Sequence, residues 1–351
     1  MTNETRTHSI PHAKRILVIR AGALGDTAYA SSIIEPLRRL YGNDVCIDWV
    51  AKSGIGKLFA ADPRINKIFE LQSRRRPLLF NPQKFDIIRH SFKQPYDLIV
   101  NLELGSLFDN VMRLARATHK IGSPFEHFKE PPETHAVENL HIIYRSFMDE
   151  DILKLANPSL KGTDTEAVRA RYSLQREYIV MAPSNSHHKS APDKNYRAWP
   201  IGHWRELLIH LAKQDKQIVM IGGSSEQEYF SFLDPLPENI VSLVGKTNFP
   251  DLIGLITGAR ALITTDTGPA HIASAVNTPV YAMIGPTNYK RTGPYSTDRN
   301  EVHIISAHLP CSPCYHTPRF NECPQNRCMI EITPQRVLNE LTTNKVINFI
   351  T

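Results

Sequence analysis

The segment RILVIRAGALGD, from Arg15 to Asp26, has the residue order of a buried strand, a tight turn and the start of a helix. Its first part, RILVIR, is a nearly continuous apolar run, which predicts a short strand that is covered on both faces. The glycines that follow permit a close turn, and apolar residues then recur at helical spacing as far as Leu40. The segment therefore predicts the first unit of a parallel α/β sheet.

Units of the same kind recur in both halves of the chain. The first half has further strand candidates at Val45–Val50, Lys67–Leu71 and Asp97–Leu102. The second half has candidates at Tyr178–Ala182, Gln217–Gly222, Ile240–Val244, Ala261–Thr265 and Val280–Ile284, with helical segments between them. Strands that alternate with helices form parallel sheets, so we predict an α/β fold with two doubly wound sheets.

The length of 351 residues exceeds what one hydrophobic core usually supports, which predicts two domains. A polar, helical stretch between His135 and Gln175 separates the two sets of strands. We expect a polar extension over residues 1–13, an N-terminal domain over 14–170 and a C-terminal domain over 171–332. Thr333 and Pro334 have the order of a helix start, so residues 333–351 are expected to form a closing helix that can pack back across the junction.

The composition favours anionic ligands. Lys and Arg number 41 against 35 Asp and Glu, which gives a formal charge of +6. No apolar run has the length of a membrane-spanning helix, and Met1–Lys14 lacks the apolar stretch of a secretion signal, so a cytoplasmic location is expected. The residue pattern of an RNA-binding module is missing, which makes nucleic acid the weaker partner.

Two loops resemble nucleotide-binding motifs without matching them. Arg20 stands where the dinucleotide fingerprint needs a glycine, which disfavours a dehydrogenase, although Asp48 near the end of the second predicted strand would suit one. Ile240 stands where a Walker loop ending at Gly245–Thr247 needs a glycine, which excludes a Walker-type ATPase. Asp26, at the mouth of the first helix, is either a helix cap or a catalytic carboxylate.

The segment DTGPAH, Asp266–His271, indicates a phosphate site. It follows an apolar strand, Gly268 turns the chain, and Pro269 suits the first turn of a helix whose free amides attract phosphate. Glu226 occupies the corresponding position after another strand, where a carboxylate can accept hydrogen bonds from ribose hydroxyls. The long polar loop Pro183–Pro200 is a further candidate for function.

A basic stretch in the first half contains Arg74, Arg75, Arg76, Lys84, Arg89, His90 and Lys93. Such a stretch is either a solvated surface or a patch that attracts an anionic acceptor. The sequence alone leaves both interpretations open.

Four of the five cysteines lie near the C-terminus, at Cys311, Cys314, Cys323 and Cys328. Thiolates in paired short spacings suit a structural zinc ion, whereas the irregular intervals and neighbouring prolines favour a packed irregular loop. Disulfides are not expected in a cytoplasmic protein.

In their order and spacing, several of these pieces resemble glycosyltransferase family nine, the lipopolysaccharide heptosyltransferases. The matching pieces are GALGD after the first strand, the basic residue before Trp199–Pro200, GGxxE at Gly222–Glu226, DTGPAH at Asp266–His271 and GPT at Gly285–Thr287. The likeness extends from about Arg15 to Leu341. It implies a GT-B architecture, in which two Rossmann-like doubly wound domains face each other across a cleft and the second holds most of the donor nucleotide.

The resemblance also implies roles for individual residues. Asp26 matches the catalytic base. The implied donor-binding residues are Ser184, Ser186, Lys194, Arg197, Glu226, Asp266, Thr267, Gly268, His271 and Thr287. The implied acceptor-binding residues are Gly25, Arg74, Arg75, Arg76, Arg89 and Lys93. The family commonly has lysine before Trp-Pro, so Lys194 and Arg197 both remain candidates for the contact with the diphosphate.

The implied function is inverting transfer of a heptose, or a related sugar, from an ADP-sugar to the core of lipopolysaccharide or lipooligosaccharide. This chemistry needs no metal ion and no cofactor beyond the nucleotide-sugar co-substrate. Because the acceptor is anionic and lipid-linked, peripheral contact with the cytoplasmic face of the inner membrane is expected. Two alternatives remain: a nucleotide-sugar epimerase of the same fold and a non-catalytic nucleotide-sugar-binding protein.

Overall fold

The computed structural model describes residues 10–184, 195–231 and 233–348. The chain forms two compact units that divide between Gly162 and Thr163. Each unit contains one parallel sheet and its own hydrophobic core.

The first unit is built on a five-stranded sheet. Its strands are β1 (Arg15–Ile19), β2 (Cys46–Lys52), β3 (Lys67–Leu71), β4 (Tyr96–Asn101) and β5 (Ala117–Ile121). Its α-helices are α1 (Leu24–Ala30), α2 (Ile34–Tyr41), α3 (Pro82–Lys93), α4 (Asp109–Leu114), α5 (Ala136–Tyr144) and α6 (Glu150–Leu153). The strands lie in the order β3-β2-β1-β4-β5, and all their pairings are parallel.

The central strand of this sheet is β1, because its side chains are apolar on both faces. Residues 16–19 of β1 are fully buried. The register pairs Ile16 with Leu98 and Ile19 with Asn101 of β4, so the two strands end at the same edge of the sheet. The loops that follow β1 and β4 therefore lie side by side.

The second unit repeats this plan with a six-stranded sheet. Its strands are β6 (Tyr178–Ala182), β7 (Gln217–Met220), β8 (Ile240–Ser242), β9 (Leu262–Thr265), β10 (Val280–Met283) and β11 (Val302–Ile305). Its α-helices are α7 (Thr165–Arg171), α8 (Ile201–Leu211), α9 (Gln227–Ser231), α10 (Phe249–Thr257), α11 (Gly268–Ala275), α12 (Tyr289–Thr292), α13 (Pro318–Asn321), α14 (Arg327–Ile330) and α15 (Pro334–Thr343). The parallel strands lie in the order β11-β10-β9-β6-β7-β8.

The closing helix α15 packs against α8 within the second unit. The loop before α8 strengthens this contact, because the indole N–H of Trp199 donates a hydrogen bond of 2.7 Å to the backbone carbonyl of Ile332. Trp199 also packs edge to face on Trp204, with ring centroids 4.8 Å apart. Both indoles are almost completely buried, so the start of α15 is anchored in the core of this unit.

The predicted fold class is confirmed by the two strand orders. Every predicted strand is present, with ends that differ by at most two residues. The edge strands β5 and β11 were not predicted, because each has only one buried residue, Ile121 in β5 and Ile305 in β11. Among the residues that the structure describes, no helix has the length and apolar character needed to cross a membrane.

Candidate active site

Both sheets reverse their strand order at one point, and polar side chains gather there. In the first unit, the chain adds strands outward from β1 to β3 on one side and from β4 to β5 on the other. Open parallel sheets bind ligands at such a switch point, beyond the carboxyl ends of the strands. Asp26 follows β1 and Glu103 follows β4, so both carboxylates lie at the switch point of this unit.

Asp26 is held at the mouth of α1 by two hydrogen bonds. Its Oδ2 accepts from the backbone N–H of Ala23 at 2.8 Å, and its Oδ1 accepts from a guanidinium N–H of Arg20 at 3.0 Å. Ala23 is the N-cap, so Asp26 caps the helix from the third position rather than as the N-cap itself. The carboxylate is oriented by these contacts, yet the side chain remains 39% exposed.

Gly22 is required at this turn because of its closeness to Asp26. A Cβ atom at Gly22 would lie 2.5 Å from both Cβ and Oδ2 of Asp26. No side chain fits there without moving the carboxylate. Gly25, a predicted acceptor contact, is the second residue of α1 and directly precedes Asp26.

Sequence reasoning missed Arg20 and Glu103, which complete this site. Arg20 donates to the carbonyl of Leu102 at 2.7 Å as well as to Asp26. Glu103 is buried; its Oε1 accepts from the backbone N–H of Ala21 at 2.7 Å and its Oε2 from Arg74 at 3.1 Å. The sequence did contain a signal for Glu103: it is an acidic residue directly after a predicted buried strand, and the carboxyl ends of parallel strands lie on the same side of a sheet as Asp26.

The structure divides the basic stretch into parts with different surroundings. Arg74 lies at the switch point through its bond to Glu103. Lys84 is buried and donates to the carbonyls of Arg74 at 2.8 Å and Leu107 at 2.6 Å, so it holds the chain in place. Burial lowers the pKa of the Lys84 ammonium. Arg75 and Arg76 are exposed.

Helix α3 carries Arg89 and Lys93 away from Arg74. The helix connects the end of β3 to the start of β4, and its twelve residues span about 18 Å. Its last turn lies near the amino ends of the strands, where Nε2 of His90 is 3.4 Å from a guanidinium nitrogen of Arg15 in β1. One small acceptor group therefore cannot contact Arg74 and Lys93 together.

Asp48, which would support a dehydrogenase, is a structural residue. It lies near the amino end of β2 rather than at its carboxyl end, and it is fully buried. Arg15, Asn66 and Tyr96 donate hydrogen bonds to its carboxylate at 3.2, 2.9 and 2.8 Å. Asp48 therefore gives no support to a dehydrogenase, because its carboxylate is occupied within the sheet.

In the second unit, the switch point lies between β6 and β9. The described donor-binding candidates follow the carboxyl ends of the central strands: Ser184 after β6, Glu226 after β7, Asp266, Thr267 and Gly268 after β9, and Thr287 after β10. His271 lies one turn into α11. Ser186 and Lys194 lie outside the described residues.

Arg197 and Asp266 form an ion pair beside this switch point. A guanidinium nitrogen of Arg197 lies 2.9 Å from Oδ2 of Asp266, and the same nitrogen donates to the backbone carbonyl of Asp266. The guanidinium also lies 5.5 Å from the centre of the Tyr315 ring. One guanidinium nitrogen thus makes both contacts with Asp266, and these contacts together with the Tyr315 ring hold Arg197 at the start of α11.

The first turn of α11 offers donors for an anion. Thr267 is the N-cap, and its hydroxyl lies 2.9 Å from the hydroxyl of Thr264. The first amides of a helix lack partners within the helix and carry partial positive charge. The hydroxyls of Thr265 and Thr287 are buried without a hydrogen-bond partner among the described residues. A ligand with phosphate oxygens would satisfy such groups.

Glu226 is held in the same manner as Asp26. Its Oε2 accepts a hydrogen bond from the backbone N–H of Gly223 at 2.7 Å in a capping box. A Cβ atom at Gly222 would lie 3.0 Å from this oxygen and 2.9 Å from the Phe230 ring. Each unit thus presents a carboxylate that lies against a glycine after the carboxyl end of a strand, Asp26 after β1 and Glu226 after β7.

The four C-terminal cysteines surround a cavity of about 330 Å³, with Tyr196 and Phe320 among its other lining residues. Burial and the neighbouring thiols raise the pKa of Cys328 to about 12. The described part of the chain contains no group of three or more His, Cys, Asp or Glu side chains arranged to bind a metal ion. The geometry therefore gives no support to the zinc site that the cysteine spacing suggested.

Comparison with known proteins identifies the relatives of this chain. Residues 112–324 match the family model of glycosyltransferase family 9 (heptosyltransferase). Lipopolysaccharide heptosyltransferase 1 of Pseudomonas aeruginosa is 25% identical, over 93% of this chain and 97% of its own length.

Solved structures share the fold. A family 9 glycosyl transferase from Veillonella parvula superposes with a TM-score of 0.76 at 16% identity, covering 94% of this chain and 96% of its own. The ADP-heptose lipopolysaccharide heptosyltransferase II of E. coli superposes with a TM-score of 0.71 at 22% identity, covering 94% and 98%. The resemblance inferred from the motifs is thereby confirmed.

Proposed function

Because the chain belongs to glycosyltransferase family 9, we propose that it transfers a heptose from ADP-heptose to the core of lipopolysaccharide or lipooligosaccharide. The name of the Pseudomonas relative supports the acceptor class, and the name of the E. coli structure supports the donor. The observation that carries the proposal is Asp26, a carboxylate that is oriented at a switch point and still 39% exposed.

The donor site is assigned to the second unit. The adenosine ribose binds Glu226, a carboxylate oriented after the carboxyl end of β7 that can accept hydrogen bonds from neighbouring hydroxyls. The diphosphate binds at the first turn of α11, where helix amides, Thr287 and Arg197 supply donors and positive charge. Lys194 and Ser186 belong to the loop that precedes Arg197 and remain proposed contacts.

The acceptor site is assigned to the first unit, around Asp26. Arg74, positioned by the buried carboxylate of Glu103, binds an anionic group of the acceptor, and Arg75 and Arg76 add positive charge nearby. Gly25, which directly precedes Asp26 in α1, remains a proposed acceptor contact. This division gives the N-terminal domain to the acceptor and the C-terminal domain to the donor.

The proposed reaction is a direct displacement with inversion. Asp26 accepts the proton of the acceptor hydroxyl while that oxygen forms a bond to the anomeric carbon of the donor. The bond from this carbon to the diphosphate oxygen breaks, and its electron pair leaves with ADP. Arg197 and the start of α11 stabilise the negative charge that develops on the leaving group. No covalent sugar intermediate and no metal ion takes part.

The location follows from the acceptor. A lipid-linked core oligosaccharide is presented at a membrane surface, so the enzyme works peripherally at the cytoplasmic face of the inner membrane. Its formal charge of +6 is compatible with approach to an anionic surface.

The first test compares thermal stability with ADP, UDP, dTDP and NAD, each at about one hundred times a plausible dissociation constant, where one-site binding adds about 2.7 kcal/mol. Selective stabilisation by ADP is expected, followed by ADP release only when donor and acceptor are both present. Stabilisation by UDP or dTDP alone would contradict the donor, and stabilisation by NAD alone would contradict a transferase. Determining the anomeric configuration of the product tests inversion directly.

A further inference from the structure

The first unit exposes large apolar side chains in one segment, the 3-10 turn Leu78–Phe80 and the helix α3 that follows it. Leu79 is 92% exposed, Phe80 is 71% exposed, and Phe85 and Phe92 are each 60% exposed. Single exposed apolar residues are ordinary on a protein surface, whereas several large ones in one short segment mark an interaction site.

The geometry of α3 places its exposed aromatic residues on one face. Phe85 and Phe92 are seven residues apart, which is close to two helical turns, so they lie above one another. Ile87 and Ile88 lie on the other side and are buried against the sheet. The helix therefore has a second apolar stripe that the unit itself does not need for its core.

Basic residues flank this apolar stripe. Arg89 lies between Phe85 and Phe92 on the same face, with its side chain 64% exposed, and the exposed Lys93 follows. Arg75 and Arg76 are exposed just before the 3-10 turn. Asp86 is the only acidic residue in the sequence from Arg74 to Lys93. The surface is thus both apolar and cationic.

We propose that this segment, residues 75–93, is a docking surface for a bilayer with anionic headgroups. Leu79, Phe80, Phe85 and Phe92 enter the boundary between headgroups and acyl chains, while Arg75, Arg76, Arg89 and Lys93 contact lipid phosphates. Amphipathic elements that lie in a membrane interface combine these two residue classes. Binding to a bilayer does not depend on the proposed function. Only its biological purpose, which is to hold the active site near a lipid-linked acceptor, rests on that function.

Charge complementarity selects the bilayer over a second copy of the chain. Two such surfaces pressed together would bring eight basic side chains and two aspartates into contact, so like charges would oppose association. An anionic bilayer has the opposite charge and also provides an apolar phase for the aromatic rings.

The apolar part is tested by co-sedimentation of the full chain with phosphatidylglycerol vesicles and with phosphatidylcholine vesicles, in the absence of donor and acceptor. The quadruple variant Leu79→Ser, Phe80→Ser, Phe85→Ser, Phe92→Ser should lower the partition coefficient for phosphatidylglycerol by about 100-fold or more. The control is Ile209→Ser, which removes a 52% exposed apolar side chain from α8 and should leave partitioning unchanged. Equal partitioning of the quadruple variant and the wild type would overturn the proposal.

The charged part is tested with Arg89→Gln, Lys93→Gln. This variant should partition about 30-fold less, since each basic residue near an anionic surface contributes about 1 kcal/mol. The matched control is Arg39→Gln, Lys57→Gln, which removes the same charge from exposed positions elsewhere in the same unit. Binding of the wild type to phosphatidylglycerol vesicles should weaken as the salt concentration is raised. If both double variants lost the same amount of vesicle binding, the effect would come from net charge alone, and the proposed docking surface would be wrong.

Two further measurements separate the possible outcomes. Sedimentation equilibrium reports whether the quadruple variant changes the oligomeric state; a dimeric wild type that becomes monomeric, with vesicle binding unchanged, would assign the surface to a second copy. Stabilisation by ADP should be retained in all variants. If ADP did not stabilise even the wild type, the proposed function would be in error. The vesicle-binding experiments would still test the docking surface in that case.

Discussion

The guanidinium of Arg20 and the carboxylate of Asp26 form an ion pair of 3.0 Å at the carboxyl end of β1. Arg20 is mostly buried, with 17% of its side chain exposed, and a second bond to the carbonyl of Leu102 fixes it between the ends of β1 and β4. The pair therefore sets the direction in which Asp26 points.

Replacement of the proposed base tests the mechanism. Asp26→Asn should reduce kcat by about two to four orders of magnitude, the usual contribution of a positioned general base, with ADP affinity unchanged. The measurement is steady-state transfer together with ADP titration. Asp164→Asn is the control, because Asp164 also caps a helix, α7, and its loss should alter only stability. Normal turnover of Asp26→Asn would remove the assigned role.

Gly22→Ala should reduce turnover without unfolding the protein. The added Cβ would lie 2.5 Å from Asp26, so the carboxylate must shift, and a displacement of about 1 Å can cost about 100-fold in rate. The control is Gly202→Ala in α8, where an added Cβ meets nothing within 4 Å. That variant should be as active as the wild type and slightly more stable. Equal activity of both variants would show that the position of Asp26 is not critical.

Glu103→Gln should weaken acceptor binding. Loss of the charge on Glu103 weakens its bond to Arg74, so the KM for the acceptor should rise about tenfold while kcat and the donor KM change little. Kinetics with each substrate varied in turn provide the measurement. Glu133→Gln, at an exposed position of the same unit, is the control. A change in donor KM alone would place Arg74 outside the acceptor site.

Arg197→Lys should weaken ADP binding by about tenfold, because a lysine ammonium lacks the planar guanidinium that lies over the Tyr315 ring and the additional N–H groups that can contact the diphosphate. Titration calorimetry with ADP measures the change. Arg319→Lys, at an exposed position of the same unit, should bind ADP normally. If Arg197→Lys bound ADP with unchanged affinity, we would assign the diphosphate contact to Lys194 instead of Arg197.

Asp251 should make the protein sensitive to acid. Burial alone raises the pKa of this carboxyl, but hydrogen bonds from Arg171, Thr163 and Tyr172 outweigh burial and lower the pKa below its ordinary value. Its stabilising effect is therefore present at neutral pH and lost as the pH falls through the lowered pKa. Urea unfolding should show a steeper loss of stability below about pH 4 for the wild type than for Asp251→Asn. Parallel pH profiles would contradict this assignment.

Local sequence patterns predicted most of the fold. The central strands were recognised because a strand buried on both faces must be apolar throughout, as in β1 and β6. The edge strands β5 and β11 were missed for the same reason: His119 and Lys120 of β5, for example, lie in a less buried environment, so the apolar signal is weak. Helix-capping residues, and the helix start that we propose binds phosphate, were recognised because they act within a few positions of their own helix.

The sequence by itself determined the α/β class, the two sets of strands and the loops that carry Asp26, Glu226 and Asp266, because these features depend on neighbouring residues. Only the tertiary structure joined Glu103 to Arg74 and to Ala21, which is 82 positions away along the chain. It also separated Arg74 from Lys93, since α3 runs from the carboxyl ends of the strands back to their amino ends. Strand order decides which side chains meet at a switch point, and no local sequence pattern specifies strand order.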